Sequence, residues 1–177
     1  MTCIVGLVHD GKVLIGGDSA GVGGLDLQLR ADQKVWAKDG YAFGFTTSFR
    51  MGQLLRYSLH LPKRHPDTDL MQYMVTEFIE AVRKCLKEGG FATKKEDAET
   101  GGTFLVGTAG RLFRIDSDYQ VGEMTGAFDA CGCGESYAKG VLFSNHHLSP
   151  NDRVLQALSA AEAMSAGVRG PFHIVST

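Results

Sequence analysis

The chain opens with two runs, TCIVGLVH (2–9) and KVLIGGDS (12–19), that are apolar on both faces instead of alternating. Neighbouring side chains of a strand point to opposite faces, so such runs belong to a sheet covered on both sides. Asp10-Gly11 between them is the strongest short hairpin signal. LDLQLR (25–30) alternates leucine with polar residues. KVWA (34–37) and YAFGF (41–45) follow, joined by a second such turn at Asp39-Gly40.

The spacing then changes to that of helices. Ser48 heads a stripe of Met51, Leu54, Leu55, Ser58 and Leu59 that ends before Pro62. A second helix is expected from Asp67 or Thr68 to Gly89-Gly90, with Met71, Met74, Val75, Phe78, Val82, Cys85 and Leu86 inward. ATKKEDAET (92–100) reads as a polar loop with its charges in solvent. TFLVGT, RLFRID, YQVGEM and FDAC read as strands. A helix is expected after GCGE, with Tyr137, Ala138, Val141 and Leu142 inward. Ser149 caps, and Pro150 begins, a further helix that runs to about Ser165 and stops at Gly167. PFHIVS is the last strand, and no repeat or low-complexity segment interrupts the series.

Strands, two helices, strands, two helices and a strand make an α+β chain. Sheets that are apolar on both faces need two covers. The predicted fold is therefore a four-layer αββα sandwich, two antiparallel sheets face to face with helix pairs outside.

Composition narrows the function. The length, 177 residues, suits one domain over 1–177. A net charge of −2 without a basic stripe argues against nucleic acid and anionic membrane as partners. The N-terminus lacks the features of a signal peptide, and no apolar run approaches the length of a bilayer span. Cys3, Cys85, Cys131 and Cys133 are too unevenly spaced for a disulfide framework, so reduced thiols and a cytoplasmic location are expected. Cys131-x-Cys133 with His146-His147 falls short of a zinc pattern and reads as small buried thiols; no metal or cofactor is expected.

The candidate chemistry is at the N-terminus. Met1 precedes a small residue, so methionine aminopeptidase is expected to remove it. Thr2 would then carry a hydroxyl and a free α-amine, a nucleophile and its base on one residue. An α-amine has a pKa of about 7.7–8.0, so part of it is neutral near neutral pH. A tight hairpin returns Asp18 beside Thr2, and Gly16-Gly17 removes bulk for close approach. Lys34 heads an otherwise buried strand and needs an anionic partner, for which Asp18 is the candidate.

Thr2 behind Met1, GGDSA around Asp18, Lys34 before an apolar pair, AFGFTTS, CGCGESYA and EAMSAG together resemble proteasome β-type subunits. They resemble especially the bacterial HslV peptidase, within the N-terminal nucleophile (Ntn) hydrolases. The resemblance implies an Ntn-hydrolase fold and a threonine-type peptidase subunit of a self-assembling homo-oligomeric ring. It implies that Thr2 would attack the peptide carbonyl and that Lys34, held by Asp18, would tune the amine. Peptide or unfolded protein is the implied substrate, and a separate ATP-dependent unfoldase the implied partner. Cys133 stands where the family has a serine near the amine, and Glu162 and Ser165 where it has an aspartate and a serine. Near Thr47 the family has a glycine whose N–H stabilises the oxyanion, and Val22 replaces a hydroxyl residue. The trio is intact and its surroundings are altered, which leaves a second reading: a non-catalytic ring subunit with a degenerate site.

Overall fold

The computed structural model describes residues 1–95 and 98–177. One antiparallel sheet has the order β12 (Phe128–Gly132), β1 (Cys3–His9), β2 (Lys12–Gly17), β13 (His173–Ser176). A second runs β11 (Val121–Glu123), β10 (Arg111–Ile115), β9 (Phe104–Thr108), β6 (Tyr41–Phe45), β5 (Val35–Lys38). Two short ribbons stand apart: β3 (Ala20–Gly23) with β4 (Asp26–Leu29), and β7 (Thr93–Lys95) with β8 (Ala98–Thr100). The helices are α1 (Phe49–Tyr57), α2 (Leu70–Tyr73), a π-helical turn (Met74–Phe78), α3 (Ile79–Glu88), α4 (Glu135–Ser144) and α5 (Pro150–Met164). Among the described residues no helix is long and apolar enough to cross a membrane.

The doubly apolar runs have a direct explanation. Cys3, Val5 and Leu7 join the cluster formed with α4 and α5, through Ala138, Leu142, Val154 and Leu158. Ile4, between them, joins a different cluster with Val13, Ile15, Val35, Ala42, Leu105 and Leu112 of the facing sheets. Every side chain of β1 up to Leu7 is thus buried, in alternating directions. The second sheet turns its other face, Phe43, Phe45, Val106 and Phe113, to Leu54, Leu55, Phe78, Val82 and Leu86 of the remaining helices. Both hairpin turns adopt the expected geometry, with Asp10 and Gly11 at φ 47° and 73° and Asp39 and Gly40 at 51° and 78°.

Several expectations are corrected. The second helix begins at Leu70, capped by Asp69, rather than at Asp67 or Thr68. Its π-helical turn adds a residue, and Val75, one step round from Met74, is 44% exposed instead of inward. Tyr137 is likewise exposed, one step off the buried stripe of Ala138 and Leu142. Within 92–100 the chain forms a ribbon rather than a loop, and Arg83 pairs with Glu99 at 2.8 Å; Glu96 and Asp97 lie outside the described residues. Only Val121–Glu123 of the expected strand at 119–124 is paired. All four residues of β4 are exposed, so the alternation of LDLQLR does not mark a core strand.

Gly44 reports on the contact between the sheets. A Cβ there would lie 2.5 Å from Ile4 Cγ2 and 2.7 Å from Ile15 Cγ2. Gly44→Ala should lower stability by about 1–3 kcal/mol in urea denaturation, the range for overpacking a filled core. An unchanged midpoint would show that the sheets do not meet there.

Candidate active site

The first hairpin builds the site. Its register pairs Ile4 with Gly17, which sets Asp18 opposite Cys3. A Cβ at Gly17 would stand 2.9 Å from both Ile4 Cδ1 and Val35 Cγ1, so glycine permits the close seam between the sheets. Lys34, just before β5, reaches across this seam from the other sheet. Its Nζ donates to Asp18 Oδ1 and to Thr2 Oγ1, each at 2.9 Å. Thr2, Asp18 and Lys34 are 4%, 1% and 1% exposed, so the contact is dry.

A buried carboxylate needs donors, and Asp18 has four. Oδ1 also accepts from the Cys3 N–H at 3.0 Å, and Oδ2 from the N–H groups of Ala20 (2.9 Å) and Arg169 (3.3 Å). Burial pushes the Lys34 ammonium below the ordinary lysine range, and the charge and hydrogen bond of Asp18 oppose that push. The result is a fixed cation against a threonine hydroxyl. That placement favours the alkoxide form and disfavours an ammonium close by.

Other partners close round Thr2. Its N–H donates to Cys133 Sγ at 3.3 Å, and Ser165 Oγ donates to the same sulfur at 3.2 Å. The Cys133 thiol in turn donates to the Thr2 carbonyl oxygen at 3.4 Å. Gly132, at φ 101°, lets β12 come this near, because a Cβ would collide with the Thr2 carbonyl. The Thr2 hydroxyl donates to the carbonyl oxygen of Met1. Beside it lies a cavity of about 370 Å³ bounded by the ribbon β3–β4 on one side and by Thr46–Phe49 on the other.

The structure thus brings together Thr2, Asp18, Lys34, Cys133 and Ser165. Glu162 goes elsewhere: Oε1 accepts the Gly170 N–H at 2.9 Å and faces the Arg169 guanidinium at 3.8 Å. Thr47 lines the cavity at φ 68°, left-handed backbone that a β-branched residue seldom adopts and glycine adopts freely. Its Oγ1 accepts the Thr103 N–H at 3.1 Å. Cys133 is exposed, not a buried thiol as expected, whereas Cys3, Cys85 and Cys131 are buried. Burial foremost, and then the charge of Asp18, push the Cys3 thiol up to about 12, so Cys3 is no rival nucleophile to its neighbour Thr2. Among the described residues no three histidine, cysteine or acidic side chains are grouped to hold a metal ion.

Residues that sequence reasoning passed over act through two backbone N–H groups and the Ser19 hydroxyl. Arg169 donates its N–H to Asp18, and Ser19 ties the same segment down through Arg169 O at 2.8 Å and Pro171 O at 2.6 Å. No side-chain pattern announces such donors.

The pair predicts an asymmetry. Removing one partner of a buried pair costs about 3–5 kcal/mol. Lys34→Met leaves Asp18 with three N–H donors and should cost about 3 kcal/mol. Asp18→Asn leaves the ammonium without a counter-ion and turns amide protons toward N–H groups, so it should cost nearer about 5 kcal/mol. Urea denaturation of both variants checks the order, and a costlier Lys34→Met would refute it.

No family model matches the sequence, and no curated protein does. Solved structures do match. The chain superposes on Thiobacillus denitrificans BPH in complex with epoxomicin with a TM-score of 0.81 and 17% identity, covering 99% of this chain and 97% of that one. Eukaryotic HslV from Trypanosoma brucei gives a TM-score of 0.69 and 15% identity, with 98% of each chain covered. Anbu, the ancestral beta-subunit from Yersinia bercovieri, gives 0.65 and 16%, with 98% and 80% covered. These are proteasome-like proteins, and the chain has their Ntn-hydrolase fold.

Proposed function

We propose that the protein is a threonine-type peptidase whose nucleophile is Thr2, freed by removal of Met1. The observation that carries this reading is the buried ammonium of Lys34, 2.9 Å from both Thr2 Oγ1 and Asp18 Oδ1. Supporting it, the fold is shared with BPH, HslV and Anbu, and BPH has been solved with epoxomicin bound. In this reading the chain is one domain with the four layers αββα.

The reaction follows from the groups in place. The free amine of Thr2 accepts the hydroxyl proton as Oγ1 attacks a peptide carbonyl. The Lys34 charge disfavours the ammonium form of that amine and stabilises charge on Oγ1. The amine then passes its proton to the leaving nitrogen, and the C–N bond breaks to leave an ester on Thr2. Water, deprotonated by the same amine, hydrolyses the ester. Cys133 and Ser165 hold the amine in place. The backbone at Thr47, in a glycine-like conformation, is the candidate oxyanion donor. Glu162 is assigned to bracing 169–170 rather than to the amine.

The protein works as a homo-oligomeric ring on peptide or unfolded protein, in the cytoplasm, with a separate ATP-dependent unfoldase. Large apolar side chains stand in solvent in support of assembly: Leu25, Leu27 and Leu29 on the ribbon, and Tyr137 and Phe143 on α4. A second reading, a ring subunit without turnover, is favoured by one observation. Glu162 has left the amine's surroundings, and a thiol, the weaker hydrogen-bonding group, holds the amine.

Two measurements test the reading. Thr2→Ala should still fold, at a cost of about 1–3 kcal/mol for the hydrogen bond withdrawn from the buried Lys34 ammonium. It should lose all cleavage of a fluorogenic peptide panel and all labelling by an epoxyketone, whereas Thr2→Ser keeps part of both. A residue fused irremovably ahead of Thr2 should abolish turnover as fully as Thr2→Ala; undiminished cleavage would remove the amine as base. Failure of wild-type protein with a confirmed free Thr2 to cleave or label would favour the ring without turnover. Mass photometry at micromolar concentration should show a multimer, and a monomer alone would end the ring proposal.

A further inference from the structure

The ribbon β3–β4 is polarised against the usual sense. Asp26, Gln28 and Arg30 line the cavity beside Thr2, while the intervening Leu25, Leu27 and Leu29 are 104%, 45% and 59% exposed. The cavity wall is therefore the charged face of the ribbon, and its charges can be counted. Arg30 is spent: Nε and Nη2 donate to the two oxygens of Asp32, each at 2.7 Å, and its guanidinium lies 4.0 Å over the Phe49 ring. Lys34 is spent on Asp18 and Thr2. Arg30 and Asp32 cancel, as do Lys34 and Asp18. Asp26 remains, the one acidic side chain of the cavity wall, and it has no ion pair among the described residues.

We infer that this cavity selects peptides with a lysine or arginine side chain close to the bond that is cut, with Asp26 as the specificity-determining residue. The inference rests on the peptidase reading for the word "cut", but the cavity's charge does not depend on it. A volume of about 370 Å³ is at the low end for small-ligand clefts. It has room for one long side chain. The cationic head of a lysine or arginine meets the Asp26 carboxylate and the Gln28 carbonyl oxygen on the ribbon's cavity face. An acidic side chain in the same place would face the Asp26 carboxylate and be repelled. An aliphatic one would leave the carboxylate without a partner.

Two readouts test this separately from turnover. The first is fluorescence anisotropy of labelled peptides that differ only in one central residue (lysine, leucine or glutamate), bound to Thr2→Ala protein at low salt. The lysine peptide should bind about fivefold tighter than the leucine peptide, the upper range for a solvent-accessible ion pair, and the glutamate peptide weakest. Asp26→Asn should erase the difference, Asp26→Lys should reverse it, and added salt should shrink it. The second is kcat/KM of wild-type protein on the same series, with the same order expected. Equal binding of the three peptides, no binding at all, or a preference that survives Asp26→Asn would overturn the inference. Turnover without charge preference would overturn it and leave the peptidase reading standing. A charge-ordered binding series in a protein that neither cleaves nor labels would uphold the cationic site and reject the peptidase.

Discussion

Everything else in the site depends on one interaction: the bridge from Lys34 Nζ to Asp18 and Thr2 across the seam between two sheets. Withdrawing an ammonium and a carboxylate from water costs several kcal/mol for each ion. The fold offsets this by giving Asp18 three N–H donors besides the lysine. Those donors come from the start of β1, from β3 and from the segment before β13, so the carboxylate ties together distant parts of the chain. The bridge also explains the glycines at 17 and 132, which are positions where backbone had to approach without a side chain in the way.

Much of this was legible in the sequence, for physical reasons that can be named. A strand buried on both faces leaves an unbroken apolar run, so β1 and β2 could be read, and Asp-Gly turns fix their register. That register alone places Asp18 beside Thr2. A lysine heading an apolar strand is costly unless paired, which pointed from Lys34 back to Asp18. The starts of two helices followed from Ser48 and Ser149, and both side chains cap, Ser149 as expected.

What could not be read falls into two kinds. Backbone groups carry no residue signature, so the Arg169 N–H and the left-handed backbone of Thr47 were invisible. The family has a glycine near Thr47, and the chain keeps a glycine-like backbone there with a side chain attached. Alternation is the other kind: LDLQLR alternates, but its polar face looks into a cavity and its leucines into solvent. Pattern reports that two faces differ and does not say which of them meets protein. Val75 and Tyr137 erred for a related reason, since one helical step separates a buried position from an exposed one and a π-helical turn moves that boundary.

The contacts of Thr2 carry a consequence for when the site comes into being. Thr2 is translated well before its partners: its N–H is held by Cys133, 131 residues later, and Asp18 takes a bond from Arg169, 151 residues later. Chains are made at about 5–20 residues per second, so most of the sequence must be translated before these partners exist. Until β12 and the segment after α5 have emerged, the first hairpin holds a threonine and an aspartate with an unfinished enclosure around them. A nascent chain therefore carries the parts of the centre without the centre itself. Its completion is a late event of folding, timed by segments translated more than a hundred residues after Thr2.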